Sequence, residues 1–231
     1  MIKAVIFDVD NTLTDFMKTK RAAVDSAVDA MIGAGLRVEK ASMVEKVFEI
    51  YWKDGVEDQR ILDKVLLKEL GRIDYKILAA GILGYRRAKS GSMTLYPKVE
   101  MTLIELTRMG VRMGALSDAP RLEAWLRVVG LGLHHFFEHV VTAEDAGARK
   151  PAPEPFRKAL ELLGSKPSET LMVGDWAERD VAGAKRLGIR TAWAKYGDTH
   201  DTQDSGAEFV LQDIHGLVDI IRRENGARAK V

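Results

Sequence analysis

Asp8 and Asp10, in Asp8-Val-Asp10-Asn-Thr12, follow directly on the apolar run Ile2-Lys-Ala-Val-Ile-Phe7. Side chains two apart on extended backbone lean to the same side, so the two carboxylates can converge on one small volume and hold a hard cation. So apolar a run reads as a strand buried on both faces, and open α/β sheets bind ligands at the carboxyl ends of such strands. Taken alone, the two acids are equally compatible with a solvated turn. Three later segments tip the balance toward chemistry: Ala115-Leu-Ser117-Asp118, Arg149-Lys150-Pro151 and Gly174-Asp175-Trp-Ala-Glu-Arg-Asp180.

A DxDxT turn, a serine at a strand tip, a lysine ahead of a helix and a GDxxxxD segment, in that order, make the sequence resemble the haloacid dehalogenase superfamily, in particular its magnesium-dependent phosphatases. The resemblance covers residues 1–15 and 95–215; between them it extends only to length and helical character. It implies a Rossmann-like, doubly wound parallel sheet as catalytic core (1–15 and 95–231), with an inserted α-helical cap domain (16–94) able to pivot as a lid. Asp8 is then the nucleophile that forms a phospho-aspartate. Asp10 is the general acid and later the base, its pKa expected to be raised by neighbouring acids. Ser117, the amide of Asp118 and Lys150 clamp the substrate phosphate.

For the cofactor, Mg2+, the expected ligands are the Asp8 carboxylate, the Asp10 carbonyl and the Asp175 carboxylate. Asp180, at the start of its helix, either orients them or caps the helix. Thr12 is expected to brace the loop through a side-chain to backbone bond. Asn11 replaces the glycine frequent in the family's turn, but Asn tolerates positive φ. Trp176 stands where a small residue is common.

The elements that must position these residues are legible in outline. Strands are predicted at Lys3–Phe7, Arg112–Leu116, His139–Val141, Thr170–Val173, Arg190–Ala194 and Glu208–Leu211. Between them come helices at Val99–Met109, Arg121–Val129, Pro155–Leu163 and Asp180–Leu187, several with Pro at entry and Gly at exit. Residues 16–94 read as amphipathic helices near Lys18–Ala34, Ser42–Trp52, Gln59–Leu70 and Tyr75–Ala88. Tyr51, Trp52, Tyr85, Arg86 and Arg87 there fit packing or solvated surface. The tail from Arg222 to Lys230 reads as a fraying helix end.

Composition excludes several classes. With 231 residues and 46% hydrophobic content the chain can bury a large core, and a net charge of +1 offers no dominant basic face for nucleic acid. The absence of cysteine rules out thiolate chemistry, leaving oxygen ligands. With no long apolar stretch and a start that runs straight into a strand, neither a membrane span nor a signal peptide is expected, and the location is expected to be cytoplasmic. Gly130-Leu-Gly132 lacks the rest of a dinucleotide fingerprint, and His134, His135 and His139 read as a surface loop.

The function that emerges is a phosphatase of a small phosphorylated metabolite, glyceraldehyde 3-phosphate or phosphoglycolate by resemblance to archaeal-type members. Its rivals are 2-haloacid dehalogenation, which needs no proton donor at position 10, phosphomutase transfer, and a silent metal- or phosphate-binding protein. Oligomeric state is not readable from the sequence.

Overall fold

The computed structural model describes residues 1–226, in two compact units. One comprises residues 1–15 and 94–231 of the chain, the other Phe16–Met93. The chain opens with strand β1 (Ala4–Phe7), then runs through α1 (Phe16–Gly33), α2 (Lys40–Asp54), α3 (Ile61–Leu70) and α4 (Tyr75–Ser92). Next come α5 (Val99–Arg108), β2 (Arg112–Ser117), α6 (Arg121–Gly130), β3 (His139–Thr142), the single turn α7 (Ala143–Ala146) and α8 (Pro153–Leu162). The remainder is β4 (Thr170–Gly174), α9 (Ala182–Lys185), β5 (Arg190–Ala194), β6 (Phe209–Leu211) and α10 (Gly216–Gly226).

The six strands form one all-parallel sheet in the order β3-β2-β1-β4-β5-β6, as expected for a doubly wound fold. Alternation along each strand explains its two covered faces. Val5, Phe7, Met113, Ala115, Leu171 and Val173 point into a core shared with Val99 and Leu103 of α5 and Leu217 and Ile221 of α10. Ala4, Ile6, Leu116 and Met172 point the other way, onto Phe156 and Leu160 of α8 and Ala184 of α9. β1 lies centrally, with Phe7 level with Ala115 on one side and Val173 on the other. The three strand tips beyond those partners therefore sit side by side at the point where the strand order reverses, which is the ligand position of such sheets.

The helical unit has its own core, including Val24, Val28, Met31, Val47, Leu66 and Leu78. Helices α2 and α4 are capped by Glu39 and Asp74, whose carboxylates accept from backbone N–H groups of the first turn. Lys20 is buried there; its ammonium lies over the rings of Phe16, Tyr51 and Tyr85 and donates to the Tyr85 hydroxyl at 3.0 Å. Tyr51 and Tyr85 thus pack inside the unit, whereas Trp52, Arg86 and Arg87 are exposed.

Two expectations are corrected. Residues 177–181 form a π-helical turn ahead of a four-residue α9, where the sequence reads as one helix from Asp180. The end of the chain does not fray at Arg222: α10 continues to Gly226, and Asn225 exchanges two hydrogen bonds with the backbone of Ile2, at 2.7 and 3.0 Å. Arg228 and Lys230 lie outside the described residues. No helix among the described residues is long and apolar enough to cross a membrane.

Candidate active site

Each chemistry-bearing segment leaves the tip of a different strand or the turn beside it. Asp8 follows β1, its N–H donating to the Val173 carbonyl of β4 at 2.8 Å, so the sheet ladder still holds its backbone amide. Beyond it the chain turns tightly, with Asn11 at φ 57°, the positive φ its side chain tolerates. Ser117 ends β2 and Asp175 follows β4. Lys150 lies on the turn between α7 and α8, with its N–H donating to Asp118 Oδ1 at 3.0 Å.

Lys150 reaches inward and ties the group together. Its Nζ donates to Asp8 Oδ1 at 2.5 Å, to Asp180 Oδ1 at 2.7 Å and to the Leu116 carbonyl at 3.2 Å, using all three ammonium protons. The lysine side chain is 2% exposed and that of Asp8 10%. Asp8, Asp175 and Asp180 are buried, and each offers a carboxylate oxygen within 4.8 Å of the others. Asp180 is thus inside the acidic cluster. It is not a helix cap: its Oδ2 accepts from the Trp176 N–H at 3.1 Å, across the π turn. Gly174 makes room for it, since a β-carbon at that position would collide with the Asp180 carboxyl.

Crowding three acids around one ammonium has electrostatic consequences. Burial, joined by the charges of Asp180 and Asp10, outweighs the attraction of Lys150 and pushes Asp8 from 3.8 up to about 7. Burial likewise raises Asp175 well above the carboxylate range, reinforced by Asp8 and Asp180. Burial opposes the charge on Lys150, but Asp180, Asp8 and Asp118 overcome it and keep the amine protonated. Burial thus works against ionisation of Asp8 in the protein alone. An all-oxygen donor set with surplus negative charge in a desolvated place fits a hard divalent cation.

The remaining predicted residues occupy distinct positions. Ser117 Oγ accepts from the Ala119 N–H at 3.2 Å, and Asp118 pairs through Oδ2 with Arg179 at 3.4 Å. Asp10 lies apart from the lysine and forms an ion pair with Arg127. Thr12 does not bond backbone with its hydroxyl; it donates to Asp175 Oδ1 at 3.1 Å, orienting that carboxylate directly. Trp176 lies against both the Arg179 guanidinium, 3.7 Å from its ring centroid, and the tilted His200 ring, with 4.0 Å between centroids. Among the described residues no histidine belongs to a group able to hold a metal.

Sequence reasoning missed the support beneath the nucleophile turn. Tyr196 donates its hydroxyl to the Thr12 carbonyl at 2.7 Å, and Trp193 Nε1 donates to the Asp175 carbonyl at the same distance. Gly197 abuts the Asn11 carbonyl so closely that any β-carbon would overlap it. The signal available was weak: a Tyr-Gly pair just past a buried strand. Arg127 was missed as well, because an arginine on a flanking helix reads as solvated.

A family model described as haloacid dehalogenase-like hydrolase matches residues 2–188. A glyceraldehyde 3-phosphate phosphatase of Methanocaldococcus jannaschii is 33% identical over 225 residues, spanning 96% of this chain and 98% of its own. One from Methanopyrus kandleri is 34% identical over 229 residues, with coverage of 96% and 98%. Among solved structures, an HAD phosphatase from Thermococcus onnurineus superposes with a TM-score of 0.70 at 24% identity, covering 95% of this chain and 98% of that one, a likeness of fold.

Proposed function

This chain belongs to the haloacid dehalogenase-like hydrolases, and from that membership and the acidic cluster we propose that it is a phosphomonoesterase of a small phosphorylated metabolite, working through a phospho-aspartate on Asp8. The observation that carries this reading is the buried Lys150 ammonium bridging Asp8 and Asp180 with Asp175 alongside, at the tip of the central strand.

Asp8 attacks phosphorus through one carboxylate oxygen. The bond from phosphorus to the ester oxygen breaks, its electron pair stays on that oxygen, and the Asp10 carboxyl proton neutralises the departing alkoxide. In the second half, Asp10 takes a proton from the water that attacks the acyl phosphate, releasing inorganic phosphate and regenerating Asp8. Lys150 offsets charge where nucleophile and phosphoryl group meet, and the Ser117 hydroxyl with the Asp118 amide holds the phosphoryl oxygens. Asp8, Asp175 and Asp180 with the Asp10 carbonyl would hold magnesium, which supplies positive charge that keeps Asp8 ionised and screens the phosphoryl oxygens.

Glyceraldehyde 3-phosphate is the first substrate to try, since relatives 31–34% identical along nearly their whole length carry that name. The test is phosphate release from a panel containing it, phosphoglycolate, sugar phosphates and nucleotides, with magnesium, with chelator and with Asp8→Asn. We expect turnover of a three-carbon phosphate, lost with chelator and in the variant. No phosphate release from any member with any divalent cation would leave a binding protein as the better description.

A further inference from the structure

Helix α6 buries a face its composition would not select. Leu122, Trp125, Leu126 and Val129 are exposed, while Ala124, Arg127 and Val128 face inward. The Arg127 side chain is 3% exposed, and its Nε lies 3.1 Å from Asp10 Oδ1, an ion pair without hydrogen-bond geometry. Taking a guanidinium out of water is costly unless a carboxylate compensates it, and an aliphatic residue would pack there at less expense. The site lysine cannot serve as the partner of Asp10, because its three protons go to Asp8, Asp180 and the Leu116 carbonyl.

We propose that Arg127 is a positioning residue for Asp10: as its buried ionic neighbour, the guanidinium holds the carboxyl group in the orientation from which it delivers its proton to the leaving oxygen. The inference rests on the reading of Asp10 as general acid given above. The guanidinium fork meets Asp10 through Nε, so its hold on the carboxyl group is that of a rigid, permanently charged ion-pair partner. Arg127 touches neither substrate nor phosphorus in this scheme and acts only through Asp10.

Proton delivery matters for a poor leaving group and is dispensable for a good one, which gives a test. Kinetics are compared on glyceraldehyde 3-phosphate, or another alkyl phosphate the wild type hydrolyses, and on 2,4-dinitrophenyl phosphate, for Asp10→Asn, Arg127→Met and the double variant. Asp10→Asn is expected to lose about 100-fold or more in kcat/KM on the alkyl ester and little on the aryl ester; kcat/KM is the readout because it ends at departure of the leaving group and excludes the later, Asp10-assisted attack of water that both esters share. Arg127→Met should lose roughly 10- to 100-fold in kcat/KM on the alkyl ester alone. In the Asp10→Asn background it should then cost nothing further. Arg127→Lys, which keeps the charge and loses the fork, should show the same selectivity to a smaller degree, and supplies the ratio if the methionine variant does not fold. Equal losses on both esters, or additive losses in the double variant, would overturn the inference. If Asp10→Asn itself fails to discriminate the esters, the acid reading falls; if it discriminates and Arg127→Met does not, only the positioning inference falls.

Discussion

The Lys150 ammonium donates to Asp180 Oδ1 at 2.7 Å with both side chains only 2% exposed. An ion pair this deep is sustained by mutual neutralisation, so removing one member leaves the other charged and unsatisfied. Lys150→Met, similar in length, strands Asp8 and Asp180 together. It is expected to lower activity by about two orders of magnitude or more and to destabilise the metal-free protein by about 3 kcal/mol. Thermal melts with and without magnesium check the second part: the metal should restore much of the melting temperature and little of the rate. A variant with wild-type turnover would remove Lys150 from the mechanism.

Metal binding should depend on pH through Asp8 and Asp175. Both are raised in the fold, Asp8 from 3.8 to about 7, so protonation is favoured by folding. The stability they contribute is present below the unfolded value and is lost as pH rises through the folded one. A cation binds the ionised form and recovers that loss. The rise in melting temperature on adding magnesium should therefore grow between about pH 5 and about pH 8 and be largest on the alkaline side. A shift independent of pH over that interval would contradict the assignment of these acids as ligands.

Gly174→Ala should act as a lever on Asp180. The added methyl meets the Asp180 carboxyl, which must swing away from Lys150 or drag the π turn with it. Weaker magnesium affinity, read by calorimetry, and a fall in kcat of roughly tenfold or more are expected. Unchanged affinity would place Asp180 outside the cation site.

Tyr196→Phe deletes one hydroxyl and its bond to the Thr12 carbonyl. Losing a single hydrogen bond to backbone is expected to cost about 1 kcal/mol in stability. Its effect on rate should be small, within about tenfold, because the Asp8 N–H stays in the sheet ladder. Urea melts and a kcat comparison check both halves.

How much was legible in the sequence follows from the range of each interaction. The strands and the acids at their tips were readable because burial on both faces leaves an apolar run ended by turn residues, as in Ala4–Phe7 and Thr170–Gly174. A helical insert at 16–94 is expected from the change of hydrophobic period, and the structure has a compact helical unit at Phe16–Met93. Asp180 was placed at a helix start because nothing local distinguishes a π turn from an α-helix; its geometry depends on a carboxylate drawn toward a lysine 30 residues earlier. Arg127 was illegible for a related reason: α6 inverts its own amphipathicity, and the carboxylate that compensates the burial lies on the turn after β1. The Tyr196 contact joins residues 184 apart, beyond the reach of any periodicity.

Strand order also governs when this site can exist. β1, which Asp8 follows, is made before its sheet neighbours β2 and β4, so it must wait for residue 174 before both its edges are covered. Parallel pairing across such long crossovers closes late. A nascent or truncated chain ending before Gly174 would hold Asp8 on an unprotected strand with neither Asp175 nor Asp180 beside it. Such fragments should aggregate before they ever turn over a substrate, because the acidic cluster cannot assemble until residue 180 has been made.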